Sequence, residues 1–135
     1  MSRSGYSDDC DEAGRLNLYR GTVDRALSGK RGQAFLRELA AALDVMPEKK
    51  LIEGELINAQ GECCAIGVVC KARGIDVSKV ECEDPKSVAQ AIGVAKAMAA
   101  EIAYMNDEYY WHEGKEDPAA RWTRMREWVD SKLKT

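Results

Sequence analysis

Three cysteines within eight residues form the part of this sequence best suited to chemistry. Cys63, Cys64 and Cys70 lie in residues 61–70, which read GECCAIGVVC, and His112 is the only histidine of the chain. A helix N-terminus lowers the pKa of a nearby thiol, because the helix dipole stabilises the thiolate. Cys63 or Cys64 could therefore act as a nucleophile if the fold placed His112 beside it as a base.

The same residues fit a structural role better. A structural zinc ion takes four ligands, usually as two short-spaced pairs from separate segments, and the sequence has no second such pair. Cys63 and Cys70 are seven residues apart, so on a helix they would share one face as small core residues. We therefore predict no catalytic residue, no metal ion and no cofactor, with a Cys/His-dependent enzyme as the alternative.

The composition is that of an ordinary globular protein. The 135 residues suffice for one compact domain, with 45% hydrophobic and 32% charged residues. No apolar run reaches the roughly 18 to 20 residues that span a bilayer, and the N-terminus lacks the layout of a secretory signal. Five cysteines, an odd number, fit a reducing compartment. We expect a cytoplasmic protein without membrane contact.

Apolar periodicity predicts a mainly α protein. Apolar residues recur every three to four positions from Leu16, with a break at Gly29 and Gly32, so residues 15–46 are predicted to form a helical hairpin. Further helices are predicted over 62–73, from Asp84-Pro85 to Gly93, over 94–107 and from Asp117-Pro118 onward, since Asp-Pro and glycine are start and stop signals. The prediction is a compact single-domain bundle of five or six helices over 13–135, preceded by a polar arm over 1–12.

Residues 51–57 are harder to interpret. LIEGELI is apolar in pairs and short, which suits a strand or a helix. We favour a helix or irregular structure, because a lone strand would leave its hydrogen bonds unpaired. The alternative is one short β-hairpin that pairs these residues with 80–82.

Several segments resemble a family of small phage and prophage proteins. They are SRSGYSDD at 2–9, GKRGQ at 29–33 leading into LREL at 36–39, CCAIG at 63–67, and residues 101–108 before a tryptophan-bearing final helix. A looser kinship joins the central run and Met105-Asn106-Asp107 to short phage proteins with CCLGVLC and a downstream LND. The resemblance covers most of the chain and implies a mobile-element setting, but it brings no catalytic residues.

Surface recognition is therefore the predicted activity. Three consecutive aromatic residues at 109–111 cannot all point inward, and such rings are favoured at interfaces, although covering the edge of the core is an equal alternative. We predict an accessory protein of a phage or prophage that binds a host or phage macromolecule, inhibition of a host system being one form of this. The predicted partner-binding residues, from the arm and from the end of the fifth helix, are Arg3, Tyr6, Asp8, Asp9, Asn106, Asp107, Tyr109, Tyr110 and Trp111.

Nucleic-acid binding is the alternative function. Two features could support it: a basic segment, and the spacing of Ala89, Gly93, Val94 and Ile102, which suits a helix-turn-helix. The second helix of that motif would offer one lysine and be followed by Asp107 and Glu108, so we interpret the glycine turn as a packing device. The basic residues, which would otherwise cover two solvated helix faces, are Arg15, Arg20, Arg25, Lys30, Arg31 and Arg37.

Overall fold

Six α-helices pack around one core in the part of the chain that the structure describes. The structure is a computed structural model, and it describes residues 3–4, 15–109 and 116–134, without the side chains of 15–18. The predicted mainly helical bundle is confirmed. The helices are α1 (Arg15–Ser28), α2 (Lys30–Asp44), α3 (Ala65–Arg73), α4 (Pro85–Ile92), α5 (Lys96–Asp107) and α6 (Pro118–Lys132), with a short 3-10 turn at Val77–Lys79.

The helix ends follow local signals. The Asp84 carboxylate accepts a hydrogen bond from the backbone N–H of Lys86 at 3.1 Å and caps α4, and Asp117 caps α6 in the same way. Gly74 and Gly93 end α3 and α4 with φ of 74° and 75°, which is left-handed backbone that glycine adopts readily. These four predicted boundaries are confirmed.

Gly32 has a different role from the predicted one. α1 ends at Ser28 and α2 begins at Lys30, so Gly32 lies inside α2 rather than in the break. A Cβ atom at this position would be 2.0 Å from the backbone oxygen of Ala26. The glycine is needed because the start of α2 lies directly against the end of α1.

Residues 51–63 form a loop that folds back on itself, and the hairpin alternative with 80–82 is wrong. Ile57 makes an isolated antiparallel bridge to Cys63, while the backbone N–H of Cys64 donates to Leu56 O at 3.0 Å. Val80 instead caps the 3-10 turn. The turn after Asn58 brings residues 56–57 opposite residues 63–64, so the loop supplies its own backbone hydrogen-bond partners. No second segment is needed to pair with it.

The core combines leucines of α2 with apolar residues of α3, α5 and α6. Its fully buried side chains include Leu36, Leu39, Ile66, Met98, Ile102 and Met125. Cys63, Cys64 and Cys70 are also buried, as predicted for small core residues. Among the described helices, none has the length and apolar character needed to cross a bilayer.

Candidate functional site

Two of the predicted partner-binding residues bind each other. The guanidinium of Arg3 donates from Nε and Nη2 to the two carboxylate oxygens of Asp107, at 2.6 Å and 2.7 Å. Only 3% of the Arg3 side chain and 12% of the Asp107 side chain are exposed. The next residue repeats the connection, since the Ser4 hydroxyl donates to the Glu108 carboxylate. Arg3 and Ser4 are thus attached to the end of α5.

Cys64 is the third member of this group. It is the N-cap of α3, where its Sγ accepts a hydrogen bond from the backbone N–H of Gly67 at 3.4 Å. Arg3 Nη1 donates to the same sulfur at 3.3 Å. Burial alone would lower the pKa of Arg3, but electrostatic interactions and hydrogen bonds with Cys64 and Asp107 outweigh it and raise that pKa above its ordinary value. Arg3 therefore stays a cation inside the protein.

Asn106 completes the group, which we call the Arg3 cluster (Arg3, Cys64, Asn106 and Asp107). Its Oδ1 accepts from the backbone N–H of Ala65 at 3.1 Å, and its Nδ2 donates to Ile52 O at 2.9 Å. It is 1% exposed. The opening segment, the double cysteine and the Met-Asn-Asp segment, which are far apart in sequence, therefore meet at one place. Burial leaves little of Arg3 or Asn106 for a partner to touch.

The chemistry open to the cysteines is limited by burial. Burial raises the pKa of the Cys63 and Cys70 thiols, that of Cys70 to about 11, so both are neutral near pH 7. Cys64 has no exposed surface. His112, the proposed base, lies outside the described residues. No cluster of three or more potential metal ligands occurs among the residues that the structure describes.

The exposed end of α5 carries the aromatic candidate. Tyr109 is 46% exposed, and the Arg124 guanidinium lies 5.6 Å from the centroid of its ring. Arg124 also binds both carboxylate oxygens of Glu116 and donates to Met105 O at 2.6 Å. The other predicted residues of this surface, Tyr6, Asp8, Asp9, Tyr110 and Trp111, lie outside the described residues.

Not all six basic residues of the alternative nucleic-acid surface are exposed and unpaired. Arg20 binds both carboxylate oxygens of Glu101, at 2.8 Å and 3.0 Å, and thereby joins α1 to α5. The Arg15 side chain lies outside the described part of the chain. The remaining four are exposed, namely Arg25, Lys30, Arg31 and Arg37. In the helix-turn-helix register, Ala100 and Glu101 would face the groove of DNA, but each is only 3% exposed.

An apolar groove lies between the end of α2, the 51–63 loop and α3. It has a volume of about 630 Å³, and its lining is mostly apolar. Val45, at its edge, is 79% exposed and is one of two large hydrophobic residues that are exposed in the described part of the chain. The apolar lining includes Ala42, Met46, Pro47, Ile52, Val68 and Pro118, and the charged lining includes Glu48, Lys50, Glu62 and Lys71.

Polar contacts to α5 and α6 hold the loop that forms one wall of this groove. The backbone N–H of Leu51 donates to Pro118 O at 3.1 Å, and Arg121 Nη1 donates to Leu51 O at 2.9 Å. Asn106 holds the next residue, Ile52, as described above. Our sequence reasoning missed the groove, because its walls come from three separate segments. The one local signal is Val45, an apolar residue just after a helix and just before Met46-Pro47.

Comparisons of the chain with known proteins give no significant match. No family model matches it, and neither curated proteins nor solved structures give a significant match.

Proposed function

We propose that this protein is an accessory protein of a phage or prophage that acts by binding a host or phage protein. The single observation that supports this function best is the apolar groove with Val45 exposed at its edge. Apolar surface of this kind costs free energy in water, and a partner that covers it recovers that free energy. Inhibition of a host system is one consequence that such binding would have.

The groove favours a peptide segment of a partner protein. Its volume lies within the range of roughly 300 to 1,000 Å³ that is typical of ligand sites, and it would take the apolar side chains of a short segment. Its lining carries both signs of charge, with Glu48 and Glu62 against Lys50 and Lys71. An apolar segment with flanking acidic and basic residues would complement it, whereas a uniformly charged polymer would not.

Affinity purification from the host with a single exposed variant tests the proposal. Val45→Asp places a charge at the edge of the groove, and it should leave the fold intact because Val45 is 79% exposed. We expect the wild-type protein to capture one stoichiometric protein and the variant to lose it. Ala120→Asp is the matched control, since Ala120 is exposed on α6 and does not line the groove.

A second set of variants separates the groove from the aromatic surface. Tyr110→Ala combined with Trp111→Ala removes the rings next to Tyr109, and substitution of Tyr6, Asp8 and Asp9 removes the side chains of the arm. If capture survives Val45→Asp but not these changes, the partner binds the end of α5 rather than the groove. If it survives all of them with circular dichroism unchanged, the proposed function is wrong.

A further inference from the structure

The end of α6 lies against the start of α2 because of one buried glutamine. Gln33 is 6% exposed, and its Nε2 donates to Leu27 O at 2.8 Å and to Lys132 O at 2.9 Å. Its Oε1 accepts from the backbone N–H of Lys134 at 2.8 Å. Gln33 of α2 thus positions Lys132 and Lys134, which lie about 100 positions later in the chain.

This contact gathers cations from two distant segments. Lys30 and Arg31 are exposed in the first turn of α2, which also contains Gln33. Lys132 is the half-buried last residue of α6, and the exposed Lys134 lies two positions beyond it. We call these four residues the Gln33 surface. None of them forms an ion pair with another residue of the described part, and Asp130, the nearby acidic residue of α6, is 3.6 Å from Arg126.

The charges at this surface favour an anion over a cation. The N-terminus of a helix carries a partial positive charge, and it favours acidic rather than basic neighbours. α2 has no acidic residue in its first turn and receives no side-chain cap from Gly29. Lys30 and Arg31 therefore add positive charge where the helix dipole is already positive, and Lys132 and Lys134 add more.

We propose that the Gln33 surface binds the phosphate backbone of duplex DNA without sequence preference. Phosphate contacts need several cations that reach a regular row of negative charges, and duplex DNA carries one charge per about 1.7 Å of its axis. Sequence readout needs several forked groups such as Arg, Asn or Gln that reach base edges, and Arg31 is the one exposed group of that kind on this surface. The one amide at this place, Gln33, is buried and bonded at both ends. This proposal does not depend on the groove, which lies at the opposite end of α2.

Fluorescence anisotropy with a labelled duplex of about 20 base pairs, at salt concentrations from about 20 to 300 mM, tests the proposal. Four phosphate contacts predict a plot of log K against log salt with a slope of about −3.6. The double variants Lys30→Gln/Arg31→Gln and Lys132→Gln/Lys134→Gln should each make that slope shallower by about 2. Lys79→Gln/Lys86→Gln removes two exposed lysines elsewhere and should leave the slope unchanged.

Three results would overturn the proposal. They are the absence of binding at the lowest salt concentration, an equal loss of binding in the Lys79/Lys86 control, and equal binding of polyglutamate, which would indicate an acidic protein as the partner. Val45→Asp should bind the duplex like the wild-type protein. Failure of the groove proposal and failure of this one are therefore distinguishable.

Discussion

Arg3 and Asp107 form a bidentate ion pair, although 104 positions separate them in the chain. The pair is mostly withdrawn from water, and Asp107 also accepts hydrogen bonds from Gly54 N and Asn106 Nδ2. The start of the chain is thereby connected to α5, to the 51–63 loop and, through Cys64, to α3. This connection makes Arg3 and Ser4 part of the fold.

Replacing Arg3 should destabilise the protein more than replacing an exposed arginine. Arg3→Ala leaves the Asp107 carboxylate buried without its cation, and we expect the free energy of unfolding to fall by about 3 kcal/mol. Arg25→Ala, at an exposed position of α1, should change it by less than about 0.5 kcal/mol. Urea unfolding followed by circular dichroism measures both. Equal effects would show that the Arg3 pair contributes nothing beyond a surface arginine.

Asn106→Asp tests whether the amide holds the loop that lines the groove. The carboxylate keeps the acceptor for Ala65 N–H but cannot donate to Ile52 O, so a buried acceptor loses its partner. It would also face the Asp107 carboxylate, to which the amide donates at 2.8 Å, and the two acids would repel each other. We expect a loss of about 2 kcal/mol in the free energy of unfolding, and faster amide hydrogen exchange in residues 51–56. Asn58→Asp, at a half-buried turn position, is the control with a smaller expected loss. Unchanged exchange in the loop would contradict this role of Asn106.

Gly67→Ala should disrupt the contact between α3 and the 51–63 loop. A Cβ atom at this position would be 1.8 Å from the backbone oxygen of Leu56, a distance that requires the backbone to move. We expect a cost of about 3 kcal/mol in the free energy of unfolding. Gly21→Ala inside α1 is the matched control, since its Cβ would approach only the flexible end of Arg25 at 3.3 Å. That variant should be neutral or more stable by up to about 1 kcal/mol, and thermal unfolding compares the two.

Stability should fall at alkaline pH, partly because of Cys70. Burial raises the pKa of this thiol from 9.0 to about 11, so between these values the folded protein keeps a proton that the unfolded chain releases. The contribution of Cys70 is complete below pH 9.0 and is lost as pH rises through about 11. Urea unfolding of the wild-type protein and of Cys70→Ala across this range measures it. An identical decline in both proteins would remove Cys70 as a cause.

The boundaries of the helices could be predicted, because they depend on short-range interactions. The Asp84 and Asp117 carboxylates cap backbone N–H groups two or three residues away, and Gly74 and Gly93 adopt backbone torsions that other residues avoid. Gly32 shows the limit of this reasoning. A glycine at this position indicates a backbone or packing constraint. Only the tertiary structure shows that the constraint is the close approach of Ala26 to a glycine inside α2.

The sites could not be predicted in the same way. We expected Arg3 on a polar arm, whereas its partners Cys64 and Asp107 are 61 and 104 positions away and bury it. The basic segment could be identified from the sequence. That Arg20 pairs with Glu101, and that Lys132 and Lys134 lie near Lys30 and Arg31, depends on how α5 and α6 pack. The groove likewise exists only where three segments meet.

The sequence by itself determined a helical bundle, the ends of most of its helices and the burial of Cys63, Cys64 and Cys70, since periodicity, capping and glycine torsions act between near neighbours. The tertiary structure decided which charges are buried, which cations lie together and where apolar surface stays open. Those properties depend on which distant segments come into contact, and residue spacing along the chain carries no record of that.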